Sequence, residues 1–201
     1  MARLEFFFDC YSPWTYLAFT RIHDVIARTK AAVVWKPILV GGVFNEVNKD
    51  VYERRANPDP RKQNYYRKDL ADWARFTRIK IGAPPVFPVN SVKAMRGGLV
   101  AQDDGKLVPY ATAVFQAYWG DLLDISQDHF LSRAAEQVGY KPAEFLDRIG
   151  APQVKARLKA NTDELIARGG FGSPTMFVDA RDMYFGNDRL PLVEAALSGR
   201  G

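Results

Sequence analysis

Cysteine is almost absent from this chain, which has one, Cys10, among 201 residues. An intramolecular disulfide is therefore impossible, and dithiol–disulfide exchange is excluded because it needs two sulfurs. Histidine is nearly as scarce, with only His23 and His129. With so few Cys and His ligands available, the sequence predicts no metal site.

Long hydrophobic runs and blocks of one charge are also lacking. No stretch approaches the roughly 20 apolar residues of a membrane span, and the first residues lead into a strand pattern rather than a signal peptide. Lys and Arg number 28 against 23 Asp and Glu, and they are scattered along the chain. We therefore expect a cytoplasmic protein with no nucleic-acid and no membrane partner. A mildly basic balance suits small anionic ligands.

Aromatic and aliphatic residues are plentiful, and they organise the N-terminal stretch. Hydrophobic residues make up 47% of the chain, enough for a sizeable core. The run Leu4–Phe8 predicts a buried strand, and Pro13 marks the first turn of a helix with Ser12 as its cap. The Ser12 hydroxyl would lie beside free N–H groups and the positive end of a helix dipole, where an anion can bind. The alternative at this point is an ordinary N-cap.

The order of the remaining elements predicts the fold class. Ala31–Leu39 is a second strand, and Val40–Asn45 is predicted to be a loop lining a crevice. Residues 63–168 show helical patterns and no strand pattern, whereas strands return as a hairpin at Thr175–Val178 and Arg181–Phe185. The order β-α-β, helices, β-β-α predicts an α/β, thioredoxin-like fold with a large all-helical insertion.

The predicted domain boundaries follow from this order. Residues 1–45 plus 169–201 form the thioredoxin-like domain, and residues 46–168 form the inserted helical domain. In such a fold the bond before Pro174 is cis and faces the turn at Ser12, which leaves the Ser173 backbone free to pair with a peptide-like ligand. We expect the Ser173 side chain to matter less than its backbone.

A third motif, Phe185-Gly186-Asn187-Asp188-Arg189-Leu190, precedes the last helix. The simpler interpretation is that Asn187 or Asp188 caps that helix. The functional interpretation is that its N–H groups bind a carboxylate while the Asp188 carboxylate binds an ammonium group, as an amino-acid-like ligand requires.

Three motifs in this order resemble a known family. They are F-F-D-C-Y-S-P-W-T-Y-L-A at 7–18, G-F-G-S-P-T-M-F-V at 170–178 and F-G-N-D-R-L at 185–190. The chain resembles the 2-hydroxychromene-2-carboxylate isomerases, relatives of the kappa-class glutathione transferases in the thioredoxin superfamily. The resemblance extends through the insertion, where K-D-L-A-D-W-A-R at 68–75 and F-P-V-N at 87–90 are also of the family type.

The resemblance implies glutathione as cofactor and a small aromatic carboxylate as substrate. It implies that Ser12 activates the glutathione thiol and that Ser173 holds its cysteinyl part through the backbone. Phe185, Gly186, Asn187 and Asp188 would hold the γ-glutamyl end. Val43, Phe44, Asn57 and Asn90 would bind the substrate, with Tyr65, Tyr66 and Trp73 as an aromatic wall. A homodimer is also expected from the family.

The implied reaction is the glutathione-dependent conversion of 2-hydroxychromene-2-carboxylate to trans-o-hydroxybenzylidenepyruvate, in aromatic-compound degradation. Two alternatives stay open: kappa-like conjugation of glutathione to an electrophile, and a glutathione-binding module without catalysis. Cys10 is interpreted as a buried structural thiol rather than as a partner in a mixed disulfide with glutathione.

Overall fold

The aromatic run near the N-terminus forms a central strand of a four-stranded sheet. The computed structural model describes residues 2–199. The strands are β1 (Arg3–Phe8), β2 (Ala32–Pro37), β3 (Thr175–Val178) and β4 (Asp182–Phe185). Their order is β2-β1-β3-β4, with β1 parallel to β2 and antiparallel to β3, and β3 antiparallel to β4. The predicted thioredoxin-like fold is confirmed.

Ten α-helices surround this sheet in the described part of the chain, and seven of them lie between α2 and β3. They are α1 (Pro13–Thr29), α2 (Val40–Val47), α3 (Asp50–Ala56), α4 (Pro60–Thr77), α5 (Val92–Asp103), α6 (Leu107–Phe115), α7 (Asp128–Glu136), α8 (Pro142–Gly150), α9 (Pro152–Ala167) and α10 (Leu190–Leu197). A π-helical turn, Gln116–Gly120, follows α6, and a 3₁₀ turn, Asn187–Arg189, precedes α10. The region between β2 and β3 is helical as predicted.

The prediction of a loop over Val40–Asn45 is wrong, because these residues begin α2. A distant side chain explains the difference: the Val40 N–H at the helix start donates to Oδ2 of the buried Asp9, 2.8 Å away. Gly42, which disfavours a helix on sequence grounds, lies where an added Cβ would come within 3.3 Å of Thr162 Cγ2. Tertiary contacts therefore fix a helix that local propensity does not specify.

The two faces of the sheet bury alternate residues of β1. Phe6 and Phe8 face α1, where the Phe19 ring lies 6.2 and 5.5 Å from theirs between centroids. Phe7 faces the other way and packs with Phe177 and with Leu165 of α9. Period-two alternation thus places one aromatic set under α1 and the other under α9.

The inserted helices share a continuous core with the sheet. The Phe115 ring of α6 lies 6.5 Å from Phe8 and stacks on Tyr16 of α1 at 5.1 Å between centroids. The boundaries at residues 45 and 169 stay a prediction, and residues 1, 200 and 201 of the predicted domain lie outside the described residues. Within residues 2–199, no helix combines the length and apolarity needed to cross a bilayer.

Candidate active site

Ser12 lies at the turn between β1 and α1 and caps the helix. Its Oγ accepts the Thr15 N–H at 3.2 Å, and Pro13 occupies the first helical position. The same Oγ donates to the Ser173 carbonyl oxygen, 3.1 Å away. The single hydroxyl proton is therefore engaged with the Ser173 carbonyl, and it has to turn away from that carbonyl to reach another acceptor at the turn.

Ser173 reaches this turn from the C-terminal part of the chain. The Ser173–Pro174 peptide bond is cis, as expected. The side chain is as involved as the backbone: Ser173 Oγ accepts the Asp9 N–H at 3.0 Å and lies 2.7 Å from Thr15 Oγ1. The expectation that its side chain matters less than its backbone therefore misses a hydrogen-bond network that joins β1, α1 and the segment before β3.

The third motif lies beside Ser173 around one cavity of about 470 Å³, which we call the Trp14 cavity. Its lining residues are Trp14, Tyr65, Asp69, Trp73, Ser173, Pro174, Phe185, Gly186, Asn187, Asp188 and Arg189. Five of the six predicted cofactor-binding residues line it, and the sixth, Ser12, is hydrogen-bonded to Ser173. The structure thus brings the three sequence motifs together.

Asn187 and Asp188 do not act as side-chain caps of α10. The capping position is Arg189, and no side-chain capping bond is made there. Asn187 is buried, and its carbonyl and Oδ1 both accept from Arg21 Nη1 at 3.4 Å. Asp188 is exposed and lies 3.3 Å from the Arg189 guanidinium, so its carboxylate stays accessible from solvent.

A second cavity, of about 310 Å³, lies against Tyr11, and we call it the Tyr11 cavity. Its lining residues are Tyr11, Leu39, Val40, Gly41, Gly42, Phe44, Asn45, Tyr52, Arg55, Pro88, Val89, Asn90, Ser91 and Val92. Two of the four predicted substrate residues, Phe44 and Asn90, line it.

The other two predicted substrate residues lie elsewhere. Val43 is fully buried in the core with Phe7 and Leu165, because α2 turns this side chain toward the sheet. Asn57 ends α3 on the exposed surface and does not line the cavity. The predicted aromatic wall divides likewise: Tyr65 and Trp73 line the Trp14 cavity. Tyr66 packs edge-on against Trp14, 5.5 Å away between centroids.

Asp9 is a buried residue of this site that the sequence analysis did not single out. Its carboxylate is fully buried and accepts the Tyr11 N–H at 3.0 Å, the Val40 N–H at 2.8 Å and the Ser91 hydroxyl at 3.0 Å. Burial raises the pKa of Asp9 to about 6, against the lowering effect of these hydrogen bonds. The available signal was a lone acidic residue directly after an apolar strand.

Cys10 is the buried structural thiol that the sequence predicted. It is almost fully buried, its N–H donates to Met95 Sδ at 3.3 Å, and its carbonyl accepts the Trp119 indole N–H at 2.9 Å. Burial and the nearby Asp9 carboxylate raise the pKa of the Cys10 thiol. A thiol held in its neutral form in the core is a poor nucleophile. In the part of the chain that the structure describes, no cluster of His, Cys, Asp and Glu is arranged to hold a metal ion.

The sheet order, the capped helix and the cis proline beside it define a thioredoxin-like protein. A family model described as a DSBA-like thioredoxin domain matches residues 3–198, so the chain belongs to that family.

Comparison with individual proteins shows which thioredoxin-like proteins this chain is similar to. The chain is 29% identical to the 2-hydroxychromene-2-carboxylate isomerase of Pseudomonas sp. (strain C18), over 98% of this chain and 90% of the relative. It is 27% identical to glutathione S-transferase kappa 1 of Homo sapiens, over 94% and 88%. A solved 2-hydroxychromene-2-carboxylate isomerase superposes with a TM-score of 0.82 at 25% identity, covering 98% of this chain and 95% of that one. The resemblance predicted from the motifs is confirmed, and the relatives are isomerases and glutathione transferases.

Proposed function

We propose that this protein is a glutathione-dependent isomerase that converts 2-hydroxychromene-2-carboxylate, or a related aromatic acid, to its ring-opened trans isomer, trans-o-hydroxybenzylidenepyruvate for the named substrate. The observation that carries the proposal is the meeting of Ser173 and residues 185–188 at one cavity, with Ser12 hydrogen-bonded to Ser173, in a chain with no second cysteine. Aromatic-compound degradation is the setting that such a substrate implies.

The residues present fit glutathione. The Trp14 cavity has about 470 Å³, within the roughly 300–1000 Å³ of small-molecule sites. The exposed Asp188 carboxylate suits the γ-glutamyl ammonium, and the Ser173 backbone suits the cysteinyl amide. When bound, glutathione would supply a thiolate nucleophile that is released unchanged at the end of the reaction.

Ser12 is the proposed catalytic residue. Its Oγ–H would turn from the Ser173 carbonyl toward the thiolate and hold it by a hydrogen bond at the N-terminus of α1. Both the hydrogen bond and the helix dipole favour the anionic sulfur, so they lower the thiol pKa toward neutrality. The conjugated carbon of the substrate would lie within reach of that sulfur, toward the Tyr11 cavity with Phe44 and Asn90.

The decisive experiment incubates the protein with glutathione and 2-hydroxychromene-2-carboxylate and follows both compounds. Isomerisation forms the trans product while glutathione stays at its starting concentration. Depletion of glutathione would instead identify kappa-like conjugation, which the kappa relatives make the second candidate. Glutathione binding without turnover of either substrate type would identify a binding module and contradict the proposal.

Replacing Ser12 tests its role. We expect Ser12→Ala to lower kcat about 100-fold, as removal of one hydrogen-bond donor to a developing anion does. Ser12→Thr keeps a hydroxyl at the cap and should retain most of the activity. The lost cap costs only about 1 kcal/mol of stability, so melting curves will show both variants folded at assay temperature. Equal kcat for the Ala variant and the unsubstituted protein would contradict a catalytic role.

The proposal includes a homodimer and a cytoplasmic location. Sedimentation velocity tests the first, since a dimer of 22.7 kDa chains has twice the monomer mass. Fractionation of cells that express the natural gene tests the second.

A further inference from the structure

Tyr11 lines the Tyr11 cavity, and its buried hydroxyl is incompletely paired. Tyr11 is 7% exposed, and its hydroxyl has no hydrogen bond of normal geometry to any residue from 2 to 199, although the Arg55 side chain approaches it closely enough to lower its pKa as a hydrogen-bond donor. A buried hydroxyl left unpaired costs about 1–3 kcal/mol, so such groups usually mark a place where another molecule completes the bond. This hydroxyl belongs to the residue next to Ser12, and Tyr11 lines a cavity large enough for a small ligand, with the hydroxyl oxygen itself buried beneath the cavity surface.

A cation without a carboxylate partner lines the same cavity. The Arg55 guanidinium carbon lies 5.3 Å from the Tyr11 ring centroid, 5.6 Å from that of Phe44 and 5.5 Å from that of Phe87. No Asp or Glu side chain among residues 2–199 is within ion-pairing distance of Arg55. The guanidinium is thus held by aromatic faces and by its approach to the Tyr11 hydroxyl, and no carboxylate competes with an incoming anion for its N–H groups.

The aromatic rings around Arg55 form an ordered wall. Tyr11 and Phe87 are stacked, with centroids 5.4 Å apart and planes 18° from parallel, and Phe44 lies edge-on to Tyr52 at 6.5 Å. Phe87 does not line the Tyr11 cavity itself, but it is about half exposed beside Arg55, so its ring offers surface to a ligand at the cavity edge. Flat apolar surfaces of this kind favour an aromatic ligand.

We propose that the Tyr11 hydroxyl and the Arg55 guanidinium together bind the carboxylate of an aromatic acid, whose ring packs against Phe44 and Phe87. This inference rests on the proposed function for placing the acid next to glutathione, and it assigns recognition of the carboxylate to two residues outside the sequence-predicted set. Tyr11 donates a neutral hydrogen bond and Arg55 supplies the opposite charge, a combination that an uncharged ligand cannot use.

The protonation states support this assignment. Burial raises the pKa of Tyr11 to about 12, although the Arg55 charge and its approach to the hydroxyl as a hydrogen-bond donor act in the opposite direction. The hydroxyl therefore keeps its proton at neutral pH and can donate it to a carboxylate. The buried Asp9 carboxylate also lies near Tyr11, but it accepts a hydrogen bond from the Tyr11 backbone N–H and not from the hydroxyl.

Direct binding of a non-reactive probe tests the proposal without glutathione or turnover. Salicylate and its neutral isostere salicylamide are titrated into the protein by isothermal calorimetry. We expect Tyr11→Phe to raise the salicylate Kd about tenfold, the loss of one buried hydrogen bond to a charged acceptor. Arg55→Gln should raise it about fivefold, because its charge is partly screened by solvent. Salicylamide should bind the unsubstituted protein at least about fivefold more weakly than salicylate and should not distinguish the variants.

The chain provides matched controls for both substitutions. Tyr52 lines the same cavity, but its hydroxyl already donates to Asn45 Oδ1 at 2.7 Å, so Tyr52→Phe should leave the salicylate Kd unchanged. Arg54 is adjacent to Arg55, yet its guanidinium contacts Asp50 and Asn48 outside the cavity, so Arg54→Gln should also be neutral.

Three outcomes would overturn the proposal: no salicylate binding to the unsubstituted protein, equal affinity for salicylate and salicylamide, or unchanged salicylate affinity in Tyr11→Phe and Arg55→Gln. A missing isomerase activity would instead overturn the proposed function, and the calorimetric result would stand on its own.

Discussion

Asp9 connects three segments through one carboxylate: the turn before α1, the start of α2 and the start of α5. Ser91 precedes α5 at the position of a cap, yet its hydroxyl donates to Asp9 and makes no capping bond. A buried acid with a raised pKa is protonated more readily in the folded state than in the unfolded chain. Its contribution to stability is therefore greatest at low pH and falls as the pH rises through the folded pKa.

A pH-dependent stability measurement isolates this residue. With the pKa of Asp9 raised from 3.8 to about 6, stability attributable to it should fall by about 2 kcal/mol between pH 4.5 and 7. The difference in unfolding free energy between the unsubstituted protein and Asp9→Asn, from urea titrations at both pH values, should shift by that amount in favour of the variant at pH 7. An identical difference at the two pH values would show that Asp9 does not titrate in this range.

The sequence predicts the residues that begin helix α1, but it does not predict the contact between Tyr11 and Arg55. Ser12 and Pro13 carry a local signal, because a cap and a first-turn proline act within one helix. Arg55 and Tyr11 carry none, since they are 44 positions apart and meet only when α3 folds against the loop holding Phe87. The sequence predicts Asn57 as the substrate residue of a segment that has no apolar periodicity to fix its structure, and in the structure Arg55 lines the Tyr11 cavity whereas Asn57 does not.

Two adjacent glycines show how tightly helix α5 fits its neighbours. A Cβ at Gly97 would overlap the Tyr110 hydroxyl oxygen and lie 2.6 Å from Phe145 Cζ, whereas a Cβ at Gly98 would meet only Pro37 at 3.5 Å. The helix therefore has one side pressed onto inserted helices and one side with ordinary clearance over β2. Both Tyr110 and Phe145 are fully buried and have no room to retreat.

We expect Gly97→Ala to destabilise the protein by about 2 kcal/mol, the cost typical of overpacking a core. Gly98→Ala in the same helix should be neutral or stabilising by up to about 1 kcal/mol, because alanine favours the helix and restricts the unfolded chain. Thermal unfolding of both variants measures the contrast. Equal effects of the two substitutions would mean that α5 can shift away from Tyr110.

Helix α1 supports the third motif through Arg21. Its guanidinium lies 5.0 Å from the Trp73 ring centroid and donates to Asn187, so it links α1, α4 and the cavity wall. Arg28, two turns further along α1, forms a bidentate salt bridge with Glu194 on the surface. Arg21 therefore supports the wall of the Trp14 cavity, whereas Arg28, on the same helix, pairs with Glu194 away from that cavity.

Arg21→Gln should raise KM for glutathione about fivefold, the effect of losing hydrogen bonds worth roughly 1 kcal/mol, with kcat unchanged. KM for the aromatic acid should not move, because Arg21 does not line the Tyr11 cavity. Arg28→Gln serves as the control and should leave both constants unchanged. Steady-state kinetics with each substrate varied in turn measures these values. A parallel change in both KM values would indicate a general loss of structure.

At the scale of the whole molecule, the sequence predicts the strands of the sheet better than it predicts the helices of the inserted region. Strand identity at Leu4–Phe8 and Thr175–Val178 follows from short apolar runs, and the burial of every residue in both ranges is that of strands covered on both faces. Helix α3 could not be predicted, because none of its residues is buried and no periodicity marks it. The π-helical turn after α6 likewise breaks a pattern that, from the sequence, continues as an α-helix.

The hydrogen bond between Asp9 and Ser173 spans 164 positions. Strand β1 is therefore synthesised long before β3, the strand that pairs with it in antiparallel fashion. The β1–β3 pairing cannot form until the chain between them has been synthesised. Closing so long a loop slows folding, because its entropy is lost before the pairing contributes. A growing chain that has not yet reached Ser173 has neither the complete sheet nor the corner where the proposed chemistry occurs. Catalytic competence is consequently among the last properties that this protein acquires during its synthesis.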